Sequence, residues 1–297
     1  MSITFLKRKP IFLLYIVGVA MLATAGILSW NNFNSKPETV FWAMIDQSLS
    51  TSSVTVHSST GDSTNGNQQT TQFSLGGQNI AHAVVSSVQP GTSVRSESIA
   101  MPDALYVKYN VATDQKNQAG KPFDFSKVNN VWSKGTSGQQ QLSQELLGTD
   151  MPLGGVAVPI AYLNEQARAK LLNQIKEQGV YKTSFASAKK EKQNGRSVYV
   201  YNVSVEPVVY ANMMKALAKN LGLHELDALD TKTFEGKDSF ELLLTVDVHS
   251  KQLLKADAVG ADIHQTYGSY DIPVTFYAPK QPVSTEELQK RIQAAQQ

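Results

Sequence analysis

Cysteine is absent from all 297 residues. Its absence excludes a disulfide framework, a thiolate metal site and a thiol nucleophile, and with them a lipoprotein anchor, which needs a cysteine at the cleavage point. An excess of one charge sign is lacking as well: 27 basic residues face 25 acidic ones. Setting aside Lys7, Arg8 and Lys9 leaves 24 against 25, so the bulk of the chain is close to neutral. That composition excludes a nucleic-acid partner, which needs a clustered positive footprint. No G-x-S-x-G elbow, phosphate-binding loop or dinucleotide fingerprint is present, and with these absent an enzyme is not expected. From residue 48 to residue 94 the only charged side chain is Asp62.

One long uncharged run is present. Residues 11–30 read IFLLYIVGVAMLATAGILSW. Twenty helical residues at ~1.5 Å each cross ~30 Å, the thickness of a bilayer's hydrocarbon. Trp30 ends the run, where an indole suits the interface, and Lys7, Arg8 and Lys9 precede it. The positive-inside rule then keeps a basic tail, residues 1–10, in the cytoplasm and exports the rest. The expectation is a single-pass protein of the cell membrane with an extracytoplasmic C-terminal domain. Cleavage after Ala25, within an A-x-A pattern at Ala23-Thr24-Ala25, is the alternative for this segment.

Residues 31–37 form a polar stalk, residues 38–280 a single α+β domain, and residues 281–297 a tail that starts a short helix from the capping box Ser284-Thr285-Glu286-Glu287. Within the domain, helices are expected over 38–49, 139–147, 160–178 and 208–221. The third rests on Ile160, Leu163, Ala167, Leu171 and Ile175, stepping by three and four along one face before Gly179. Short strands are expected over 54–57, 70–75, 83–88, 94–101, 105–111, 131–132, 181–188, 198–205, 240–248, 253–259 and 272–277, and a loop over 114–130. Their turn signals are Gly61, Asn65-Gly66, Gly76-Gly77, Pro90-Gly91 and Asn194-Gly195. The chain therefore reads as a curved antiparallel sheet, a half-barrel with helices on its concave side, plus the N-terminal span.

Chemistry-bearing motifs are sparse. Asp247 and His249 share one strand face and Asp262 and His264 another, a pattern that ordinary exposed strand positions explain as well as a metal site does. Ser187-x-x-Lys190 matches the S-x-x-K nucleophile pattern without its companion motifs. No metal and no cofactor are expected.

The order of elements from residue 181 to residue 279 is two strands, a helix, two paired strands and the closing run Tyr270-Asp271-Ile272-Pro273-Val274-Thr275-Phe276-Tyr277-Ala278-Pro279. It resembles the extracytoplasmic lipid carriers that include LolA and the LppX and LprG lipoproteins, which close on a similar Y-x-x-P-V-T-x-x-A-P strand. The resemblance implies a half-barrel with an apolar cavity for acyl chains between helices and sheet. On this chain the cavity would be lined by Tyr210, Met213, Met214, Leu217 and Leu221 of the 208–221 helix, facing Phe240, Leu242, Leu244 and Val246 of the following strand. A transmembrane helix here replaces the lipidated cysteine of those relatives. Two functions stay open: a membrane-anchored binding module for a lipid or other apolar ligand, or a non-catalytic structural or interaction module of the envelope with a filled core. Beyond the membrane, the expected partners are that ligand or an envelope protein.

Overall fold

The computed structural model describes residues 35–61, 65–147 and 157–297. The expected cytoplasmic tail and membrane span lie outside these residues. Among the described residues no helix is long and apolar enough to cross a membrane.

The chain enters on α1 (Pro37–Ser48), whose proline sits in the first turn, where no intrahelical N–H is needed. Val40, Phe41, Met44 and Ile45 form its buried stripe. Five long strands follow as a meander: β1 (Ser53–Gly61), β2 (Gly66–Ser74), β3 (Ile80–Gln89), β4 (Thr92–Met101) and β5 (Ala104–Thr113). β6 (Trp132–Gly135) and α2 (Gln139–Leu147) come next, then α3 (Glu165–Glu177). The second half holds β7 (Tyr181–Thr183), β8 (Lys189–Gln193), β9 (Arg196–Val205), α4 (Pro207–Asn220), β10 (Phe240–Asp247), β11 (Leu253–Ala258) and β12 (Ile263–Gly268). β13 (Val283–Ser284) and α5 (Thr285–Ala295) end it.

Among the described residues, thirteen strands join one curved, unclosed sheet in the order β13-β6-β5-β4-β3-β2-β1-β12-β11-β10-β9-β7, with β8 also on β9. Between these strands every pairing is antiparallel except β13 on β6. The α+β class and the bent, mostly antiparallel sheet agree with the sequence reading. The two halves are sewn together by β1 and β12, where Val56 lies opposite Tyr267. One face carries the main core, in which Phe41, Phe73, Leu142, Ile175, Tyr201 and Leu244 are all sealed from solvent.

Several local expectations change. Residues 160–163 are not helical: Ala161 and Leu163 donate to the carbonyls of Ser48 and Leu49. Helix α3 begins only after Asn164, whose side chain accepts from the Ala167 N–H. Ile160 and Leu163 are buried, but in an extended segment. Residues 184–188 are not strand, since Phe185–Ser187 is a 3-10 turn. The partner of β9 across Asn194-Gly195 is β8, through a turn in which both residues have positive φ, 50° and 80°. The 272–277 run is not a strand either. Pro273, Pro279 and Pro282 remove backbone donors, and residues 269–282 cross the outer face of the sheet from β12 to β13 as a strap. Asp271 pins its start, accepting from the Ser52 N–H at 2.7 Å and the Ser52 hydroxyl at 2.9 Å. Phe276 then packs with Ile99, Ala104 and Tyr106. The closing strand of the sheet's middle is instead β12. The tail forms a packed helix: the Ser284 hydroxyl accepts from the Glu287 N–H at 3.1 Å, and Leu288 is buried.

Candidate functional site: a buried core and an open groove

The nine residues expected to line a cavity do converge on the main core. Met213, Leu217, Leu242, Leu244 and Val246 have zero exposure, Met214 3% and Tyr210 5%. Side chains buried to this degree belong to the close-packed core. Leu221, which follows α4, and Phe240 are half-buried against this core. Tyr210 meets Phe240 edge-on, with ring centroids 5.8 Å apart. Helix α4 packs on α3 and α2, while α1 lies over β10. Both methionines of α4 are buried in this core.

Burial raises the pKa of Tyr181, Tyr210, Tyr267 and Tyr270, which keeps them neutral hydrogen-bonding groups. The Tyr181 hydroxyl donates to the Ala157 carbonyl, and the Ala157 N–H donates to the Tyr267 hydroxyl. Glu145 of α2 is a buried acid. It accepts from Gln69 at 2.5 Å, Thr71 at 3.0 Å and Gln141 at 2.7 Å. Desolvation raises its pKa in spite of those bonds.

The motif residues are structurally occupied. Asp247 is buried and caps the β10–β11 turn, accepting from the His249 and Ser250 N–H groups. His249 therefore lies in a turn and not on Asp247's strand face. His264 bridges Asp257 at 2.7 Å and Asp262 at 3.1 Å, and the Asp257 bond raises its pKa. Among the described residues no group of three such side chains could hold a metal ion. The Ser187 hydroxyl donates to the Ser184 carbonyl, and the Lys190 ammonium lies 5.8 Å from the Tyr199 ring.

An open groove of about 330 Å³ lies elsewhere, at the far ends of β4 and β5. Val94 and Val111 are cross-strand partners on its floor, beside Tyr109. Phe123, Phe125 and Val128 of the β5–β6 loop form one wall and Ile292 of α5 the other. Thr92, Thr113, Gln115 and Gln296 line the rest. The floor belongs to the same face of the sheet as the core, because Tyr109 and Val111 lie at even spacing from Leu105, which packs on the main core. Asn129 clasps β5 with a bond to the Val111 carbonyl at 3.0 Å and one from the Val111 N–H at 2.8 Å. Asp124 and Lys127 of the loop are tied to Ala295 and Arg291 of α5. The sequence reading missed this groove by treating 114–130 as a plain loop. The signals were two phenylalanines in a polar segment and the Leu288–Ile292 spacing in the tail.

No protein-family model and no curated protein matches this chain.

Proposed function

We propose that this chain is a membrane-anchored, non-catalytic extracytoplasmic binding module for a lipid or other apolar ligand, and that the ligand occupies the groove between β4, β5, the β5–β6 loop and α5. In this reading residues 11–30 span the membrane, the N-terminus is cytoplasmic, and the bent sheet is a half-barrel with helices α1–α4 in its concave side. The observation that carries it is the groove itself: half-exposed Val94, Tyr109, Val111, Phe123, Phe125 and Ile292 face one opening of about 330 Å³. Ligand sites of this kind have volumes of ~300–1,000 Å³ and are mostly apolar with a few polar groups. The burial of the α4 and β10 side chains supports the second reading, an interaction module with a filled core.

A photoactivatable fatty acid, cross-linked to the full chain in proteoliposomes and mapped by peptide mass spectrometry, separates the two. Adducts are expected on the β5–β6 loop and α5, with a loss of roughly ten-fold in Ile292→Arg, the scale of ~1.4 kcal/mol. Adducts confined to residues 11–30 refute the binding reading and leave the interaction module. Adducts on α4 and β10 would restore the site expected from the sequence.

A further inference from the structure

We infer that the β8–β9 hairpin is a second membrane contact, an electrostatic one, which lays the domain against a leaflet carrying anionic phospholipid headgroups. The inference rests on residues 11–30 being a membrane span. The hairpin holds four basic residues, Lys189, Lys190, Lys192 and Arg196, against the single acid Glu191. This is a concentration of positive charge in an otherwise balanced domain, and every residue of β8 is exposed. Among the described residues, Lys189, Lys190 and Lys192 form no ion pair. Arg196 reaches only the edge of Asp247, at 4.0 Å.

Position gives the charge its meaning. Lys190 lies directly opposite Tyr199 and Lys192 opposite Ser197, and directly opposed residues share a face of the sheet. On that face the Tyr199 hydroxyl donates to the Ser35 carbonyl at 3.0 Å and the Tyr201 hydroxyl to the Pro37 carbonyl at 2.8 Å. The hairpin therefore flanks the point where the chain arrives from the anchor. Trp30 and Ser35 are five residues apart, and five residues reach at most ~17 Å even when fully extended. The lysines are held near the headgroups by covalent reach, where anionic lipids attract clustered Lys and Arg.

Lysines on an edge strand also discourage pairing between sheets. Charge reversal separates the roles, because glutamates protect an edge equally well but are repelled by anionic lipid. The full chain, which has no native cysteine, is labelled with a fluorophore at Gln193→Cys, or at Gln78→Cys in the exposed β2–β3 turn as a control. It is reconstituted in phosphatidylcholine vesicles with or without about one third phosphatidylglycerol, each holding a headgroup-borne quencher. Quenching at position 193 should be at least three-fold stronger with phosphatidylglycerol. It should fall to the phosphatidylcholine level in about 1 M salt, where the screening length is ~3 Å, and in the combined Lys189→Glu, Lys190→Glu, Lys192→Glu variant. The control label should not respond. Equal quenching in both lipids, or in the charge-reversed variant, overturns the hairpin contact alone. A chain that fails to float with either vesicle overturns the anchor, and the inference with it.

Discussion

Truncating the interior leucines tests whether the space beneath α4 is filled. Leu217 of α4 and Leu244 of β10 both have zero exposure and share the main core. Replacing either by alanine removes three carbons. At ~0.8 kcal/mol per buried methylene the lost transfer energy is about 2.4 kcal/mol. The void left behind adds ~24 cal/mol for each Å³ that does not collapse. A cost of about 3–5 kcal/mol is expected at each position. Leu217→Trp overpacks the same place and should cost about 1–3 kcal/mol. Val111→Ala, on the groove floor and already partly exposed, should cost less than about 1 kcal/mol, since little of the lost surface is removed from water. Urea unfolding of the full chain in mild detergent, followed by tryptophan fluorescence, reads these differences from the shift in midpoint at constant slope. Costs below about 1.5 kcal/mol at both leucines, with an unchanged midpoint for Leu217→Trp, would refute the filled interior.

Two titrations follow from the buried and bridged acids. Glu145 has a raised pKa in the fold, so its stabilising share is complete below the unfolded value of ~4.3 and is lost as pH rises through the folded one. Glu145→Gln should therefore gain in thermal midpoint relative to the parent between pH 4 and pH 8, and a pH-independent difference would contradict this. The raised pKa of His264 rests first on Asp257. In Asp257→Asn the NMR titration midpoint of His264 should fall toward the ordinary ~6.5, and no movement would mean that Asp257 is not the cause. The His264 contribution is present below ~6.5 and lost as pH rises through its own value.

What the sequence determined by itself is local. Helix α2 falls on 139–147 as expected and α4 begins within one residue of its expected start, because periodicity, proline and capping signals act within a few residues. Asn194-Gly195 marks its hairpin because two positive φ angles favour those residue types at that point. The alternation of Leu242, Leu244 and Val246 marks the buried face of β10. The tertiary structure alone decided the rest, because it depends on contacts between residues far apart in the chain. Ile160 and Leu163 have helical spacing, but Ala161 and Leu163 donate to the carbonyls of residues 48 and 49, and a long-range ladder outweighs a weak propensity. The proline-bearing run at 272–277 becomes a strap pinned by Ser52, 219 residues away from Asp271. Met213 and Met214, which suit an adaptable cavity, are buried where α2 and α3 arrive against α4. The groove needed β4, the β5–β6 loop and the last helix to meet. No periodicity within any one of those segments records where the other two lie.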